Sequence, residues 1–74
     1  MELTFGEKVK NLREDADMTQ TQLGIAIHAT QRKVSYIERG ISEPTLEDIV
    51  AICKVFHVSA DYMLGLSFSK TNSK

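Results

Sequence analysis

Hydroxyl residues able to cap a helix recur along this chain with a suitable partner three residues further on, and that pattern leaves room for little except short helices. Thr4 is followed by Glu7, Thr19 by Gln22 and Thr45 by Asp48. In the first two, the later side chain can reach back to the cap's own N–H, so the helix start is satisfied from both directions. Asp48 is expected to act chiefly by placing negative charge near a helix N-terminus. Ser59 is a fourth cap, with Val58 before it placed to staple onto Met63; Met18 and Leu23 bracket Thr19 in the same way. No segment shows the strict alternation of a strand.

These starts predict five helices. The first runs from about Phe5 to Asp15, with Phe5, Val9, Leu12 and Ala16 on one face. The second covers about Gln20 to Ile27, with Leu23, Ala26 and Ile27 inward. The third covers about Gln31 to Arg39, capped by Thr30 and stopped by Gly40, a residue suited to the left-handed position past a helix. Ile41 to Pro44 connect it to a fourth, Leu46 to Phe56, expected to bury Leu46, Ile49, Ile52, Cys53 and Phe56. The fifth is short, Ala60 to Leu64. Residues 1–66 thus read as one all-α domain, and residues 67–74 as a flexible tail or the start of a linker.

Seventy-four residues allow one small core, burying only about 60% of the surface the unfolded chain exposes, and little space for an active-site cavity. There is no glycine-rich phosphate loop and no nucleophile with its base, so no enzyme and no cofactor is expected. Ile27-His28-Ala29-Thr30 and Phe56-His57-Val58-Ser59 share one layout, each histidine falling where one helix ends and another is about to begin. Such positions often need positive φ, which histidine tolerates better than most residues. Both histidines therefore read as turn residues. Cys53 and His57 are four apart, but two ligands without a third make a poor zinc site, so no metal is expected. The N-terminus does not resemble a signal peptide, and no stretch is apolar enough for a bilayer; a cytoplasmic location with Cys53 as a free thiol is expected.

The second and third helices are short and joined by His28-Ala29-Thr30, which forces a sharp turn between packed helices. Here the sequence resembles a family. Residues 5–66 look like the phage-repressor and Cro-like (XRE-type) helix-turn-helix domains. The likeness rests on Met18-Thr19-Gln20-Thr21-Gln22-Leu23 opening the second helix, Thr30 capping the third and Ile37-Glu38-Arg39-Gly40 ending it. Pro44-Thr45-Leu46 opens the fourth, and Val58-Ser59-Ala60-Asp61-Tyr62-Met63-Leu64 fits the closing helix. The resemblance implies a five-helix, lambda-repressor-like fold whose third helix enters the major groove of double-stranded DNA.

Helix geometry can be set beside that implication. Val34 and Ile37 point to one side of the third helix, Arg32, Ser35, Tyr36 and Arg39 to the other, while Gln31 projects from the first turn. By resemblance, Gln31, Arg32 and Tyr36 hold the base-reading positions, with Lys33 and Ser35 beside them. Arginine can pair with guanine, and glutamine with adenine, through two parallel hydrogen bonds. Thr19 and Gln20 begin the second helix, whose free N–H groups suit a phosphate; Arg39 is expected on the backbone too. Arg13 and Glu38 match a pair that the family uses as an ion pair between the first and third helices.

Two departures stand out. The family favours alanine and glycine where this chain has Gly24 and His28. The connection after Gly40 often carries basic residues in the family, whereas here it reads Ile41-Ser42-Glu43, which removes phosphate contacts and leaves Ile41 for a partner. Net charge is −1, with the charges segregated. Residues 18–40 carry Arg32, Lys33 and Arg39 against Glu38; residues 41–66 carry Glu43, Glu47, Asp48 and Asp61 against Lys54. Screening beyond about 8–10 Å makes the local face count for more than the total.

The expected activity is sequence-specific transcription regulation, by repression, as a homodimer on a palindromic operator whose half-sites lie about 34–36 Å apart. Ile41, Tyr62, Leu66 and Phe68 are candidate dimer residues. The alternative is a protein-interaction module of the same fold, such as an antitoxin whose acidic fourth and fifth helices bind a basic partner.

Overall fold

The computed structural model describes residues 3–66, and within them five helices and no strand. They are α1 (Phe5–Asp15), α2 (Gln20–Ala26), α3 (Gln31–Glu38), α4 (Leu46–Phe56) and α5 (Ala60–Met63). Phe68 and the rest of the expected tail lie outside the described residues.

Every helix starts on a hydroxyl. Thr4, Thr19, Thr30, Thr45 and Ser59 each have extended backbone, and each side chain accepts the N–H three residues on. Glu7 and Gln22 reach back to the N–H of Thr4 and Thr19 at 2.9 and 2.8 Å. Asp48 does more than supply charge: its Oδ2 accepts the Thr45 N–H at 2.9 Å, completing a third reciprocal cap. The exits are equally local. His28 (φ 61°), His57 (φ 57°) and Gly40 (φ 76°) take left-handed backbone, and so does Asp17 (φ 57°), which the sequence reading had not singled out.

The core consists of Val9, Leu12, Leu23, Ile27, Val34, Ile37, Ile52, Val58 and Met63, with Phe5, Ala29 and Phe56 among the residues packed around it. Three expected core residues are exposed instead. Ala16 is the C-cap of α1, after which the chain turns away through Asp17. On α2 the buried side is set by Leu23, Gly24 and Ile27, which at 100° per residue turns Ala26 away from the core. On α4 the buried side centres on Ile52 and Asp48, leaving Leu46 at its flank and 76% exposed. Ile49, Cys53 and Phe56 are only half-buried.

Two glycines take places on those faces because other backbone comes close. A Cβ on Gly6 would collide with the carbonyl oxygens of Ile37 and Glu38, so α1 and α3 meet backbone to backbone there. A Cβ on Gly24 would lie 2.7 Å from the Ala29 oxygen, in the turn leading to α3. Gly24 is thus more than a loosened alanine: it lets the turn fold tightly onto α2, and the Ala29 N–H donates to the Gly24 carbonyl at 2.7 Å.

One buried charge is answered, among the described residues, without an ion pair. Lys8 of α1 donates from Nζ to the Tyr62 carbonyl at 2.7 Å and sits 4.9 Å from the centre of the Tyr62 ring. The carbonyl end of the short α5 and the ring's electron-rich face both favour a cation.

Candidate functional site

The outer face of α3 owes its position to what lies beneath it. Val34 and Ile37 are fully buried and fix the helix against the core. At its C-terminal end, Glu38 is also buried and receives two hydrogen bonds from Arg13, Nε to Oε2 at 2.6 Å and Nη2 to Oε1 at 3.1 Å. The remaining Arg13 nitrogen, Nη1, donates to the Met18 carbonyl at 2.8 Å, so one guanidinium ties α1 to the entry of α2 and to α3. Its hydrogen bond to Glu38 lifts the Arg13 pKa above the ordinary value; burial opposes this, and the charges of Glu38 and Glu14 assist it.

From Glu38 a line of amides runs outward. Gln20 donates through Nε2 to Glu38 Oε1 at 3.1 Å, and Gln31 donates through Nε2 to Gln20 Oε1 at 2.6 Å. An ionised carboxylate can only accept. Gln20 must therefore turn its NH₂ inward, its oxygen is left for Gln31, and Gln31 must donate in turn. One N–H and the carbonyl of Gln31 remain at the surface. The Gln20 side chain thus supports Gln31, a role apart from the phosphate that the sequence reading assigned to the free N–H groups at the start of α2. Its backbone N–H stays open beside that of Thr21, because the Thr19–Gln22 cap uses only the N–H groups of Thr19 and Gln22.

Along the outer row, Gln31, Arg32 and Arg39 are exposed, while Ser35 and Tyr36 are half-buried. Among the described residues Arg32 makes no hydrogen bond or ion pair. Arg39 Nε donates to the Ser35 hydroxyl at 3.2 Å, and its guanidinium carbon lies 5.3 Å from the Tyr36 ring centre, so these three side chains form one cluster. Lys33 departs from the row. Its Nζ lies 3.0 Å from Asp48 Oδ2, drawn sideways onto α4. Burial pushes the Asp48 pKa up, yet hydrogen bonds from the Thr45 N–H, Lys33 and the Thr45 hydroxyl, with the Lys33 charge, hold it below the ordinary carboxylate value.

The sequence reading missed the amide line and the Lys33–Asp48 contact. A signal for the first exists: Gln20 and Gln31 each follow the cap of consecutive helices, a placement that brings two helix starts together across a short turn. Nothing in the spacing of Lys33 and Asp48 announces their meeting. Of the candidate dimer residues, Ile41 and Leu66 are exposed, whereas Tyr62 is half-buried and engaged by Lys8. No helix among the described residues is long and apolar enough to cross a membrane, and no group of three His, Cys, Asp or Glu side chains among them is placed to hold a metal.

A family profile described as a helix-turn-helix domain matches residues 4–63. The HTH-type transcriptional regulator DicA of Escherichia coli (strain K12) is 37% identical over 62 residues, which is 84% of this chain and 46% of that protein. The repressor protein C2 of Salmonella phage P22 is 31% identical over 68 residues, 92% of this chain and 32% of that one. The chain thus spans less than half the length of either relative. A crystal structure of the P22 c2 repressor in complex with a synthetic operator superposes with a TM-score of 0.83 at 27% identity, covering 89% of this chain and all of that one. The architecture is not confined to regulators. Hydroxypropylphosphonic acid epoxidase from S. wedmorenis superposes with a TM-score of 0.72 at 28% identity, over 81% of this chain and 32% of the epoxidase.

Proposed function

This chain belongs to the helix-turn-helix domain family, and from that premise we propose that it is a sequence-specific regulator of transcription that binds double-stranded DNA with the outer face of α3 in the major groove. The observation that carries the reading is the row Gln31, Arg32, Ser35, Tyr36 and Arg39, standing outward on a helix that Val34, Ile37 and the Arg13–Glu38 pair fix from below. Two relatives named as a regulator and a repressor support it.

The residues divide by what they offer. Arg32, with no partner among the described residues, is the reader of guanine. Gln31 keeps one N–H and its carbonyl, the pair that a bidentate contact to adenine requires. Tyr36 meets a thymine methyl with its ring or a phosphate with its hydroxyl. Arg39, resting on Tyr36 and Ser35, reaches the sugar-phosphate backbone. The N–H groups of Gln20 and Thr21, at the start of α2 beside the Thr19 cap, take another phosphate. Lys33 must leave Asp48 to touch DNA, so its contribution is the smallest. With so few phosphate contacts on one domain, repression requires a homodimer on a two-fold symmetric operator. The chain works in the compartment that holds the DNA, the cytoplasm of a bacterial cell or infected host.

Selection from a random duplex pool, followed by binding titrations at low and moderate salt, tests this. The expected result is a palindromic consensus. Arg32→Ala should lower affinity by roughly 1–3 kcal/mol and relax preference at one base pair, while Arg39→Ala weakens all sequences alike. If no selected sequence binds better than bulk competitor DNA, or Arg32→Ala leaves the consensus unchanged, the reading fails.

A further inference from the structure

Of the cations on α3, the protein answers one itself. Arg32 has no hydrogen bond or ion pair among the described residues, and Arg39 rests on the uncharged Ser35 and Tyr36. Lys33 meets a carboxylate, with Nζ 3.0 Å from Asp48 Oδ2. At about 100° per residue, Lys33 falls roughly 60° past Tyr36, on the flank of α3 that looks toward α4. A helix fills the width of the major groove, so its centre line faces base edges and its flanks face the sugar-phosphate walls. Lysine on such a flank has a flexible four-carbon stem and can turn to either side. Here it turns to its own protein.

Asp48 is placed to keep it there. The residue is buried, and its Oδ2 also accepts the Thr45 N–H at 2.9 Å within the α4 cap. That second bond keeps the carboxylate from following the ammonium outward. A phosphate reaching Lys33 must therefore take the cation from a buried, ionised group. Left together, the pair is neutral and releases no counterion when a duplex arrives.

We propose that Asp48 is a positioning residue that limits duplex affinity by holding Lys33 off the DNA backbone. The inference deepens the reading of α3 as a DNA-binding helix and rests on it for its ligand. Phosphate contacts carry no sequence information, so the restraint weakens operator and bulk DNA alike.

Titrations of the full chain with a selected duplex and with bulk duplex DNA, at two salt concentrations, test it. Asp48→Asn keeps an oxygen for the Thr45 N–H and removes the charge; Asp48→Gln, which repeats the Gln22 cap of α2, is a second such variant. Each should tighten both duplexes roughly tenfold at about 50 mM salt, and steepen the slope of log K against log salt by about 0.9. The gain should therefore shrink about 3.5-fold at about 200 mM. In a Lys33→Gln background, the same change at Asp48 should gain less than about twofold. Circular dichroism at the titration temperature checks that each variant is folded. Asp48 variants that bind as wild type does, or that gain as much without Lys33, overturn the proposal. A gain on bulk DNA with no preference for the selected duplex sinks the sequence-specific reading and leaves the restraint standing. Wild type and variants that bind neither duplex sink both.

Discussion

On one side of α3, Glu38 is held by Arg13 with side chains 2% and 11% exposed, through two hydrogen bonds. On the other, Lys33 reaches Asp48 through one contact, with exposures of 38% and 8%. Both are ion pairs between α3 and a neighbour, but they set α3 differently. The first is desolvated, and its two hydrogen bonds hold both partners in one geometry. The second joins a buried carboxylate, already satisfied by the α4 cap, to an ammonium that water can still solvate. α3 is therefore fixed firmly toward α1 and α2 and lightly toward α4. The firm side carries the amide line to Gln31; the light side carries Lys33, whose ammonium leans away from the outer row onto Asp48.

The contrast is broken most severely by Arg13→Ala, which strands the Glu38 carboxylate. Urea denaturation should show a loss of about 3–5 kcal/mol, enough to leave so small a domain largely unfolded. A loss near that of a surface pair would remove the distinction between the two sides. Gly6→Ala tests the same side without touching charge. The carbonyls of Ile37 and Glu38 are backbone and cannot swing away, so overpacking should cost about 1–3 kcal/mol and lower the melting temperature.

Acid sharpens the comparison on the other side. The Asp48 pKa is lower in the folded chain than its ordinary 3.8, so its share of stability is complete above that value and is lost as pH falls through the folded one. Over that interval the unfolded chain binds the proton first. Melting temperatures of Asp48→Asn should fall less steeply than wild type below about pH 4. The smallest effect belongs to Lys33→Ala, which should cost less than about 1 kcal/mol, because the lysine is over a third exposed and Asp48 keeps its bonds to Thr45.

What could be read from the chain beforehand was whatever is decided within one turn. The hydroxyl caps name their partners three residues away, and α1 and α4 begin and end where those caps and the turn histidine place them. The left-handed backbone at His28, His57 and Gly40 is local in the same sense. What could not be read was the phase of each helix about its own axis. Ala16, Ala26 and Leu46 have acceptable spacing for the core and lie outside it, because neighbouring helices decide which side is covered. The close approaches at Gly6 and Gly24, the meeting of Lys33 with Asp48 and the burial of Lys8 depend on elements distant in sequence. At the candidate interface the outward residue types could be named in advance. The direction of the Gln20 and Gln31 amides follows only once Glu38 is seen beneath them.

The burial of Lys8 against the end of α5 gives the domain an order of completion. Its ammonium is answered by a carbonyl and a ring that are synthesised fifty-four residues later. Without Tyr62, α1 carries a cation whose place in the interior does not exist. Docking α1 without α5 would bury that charge without the carbonyl and ring that answer it. Four residues of helix at the far end thereby act as the latch, and a chain cut before Tyr62 lacks the piece that lets the rest close.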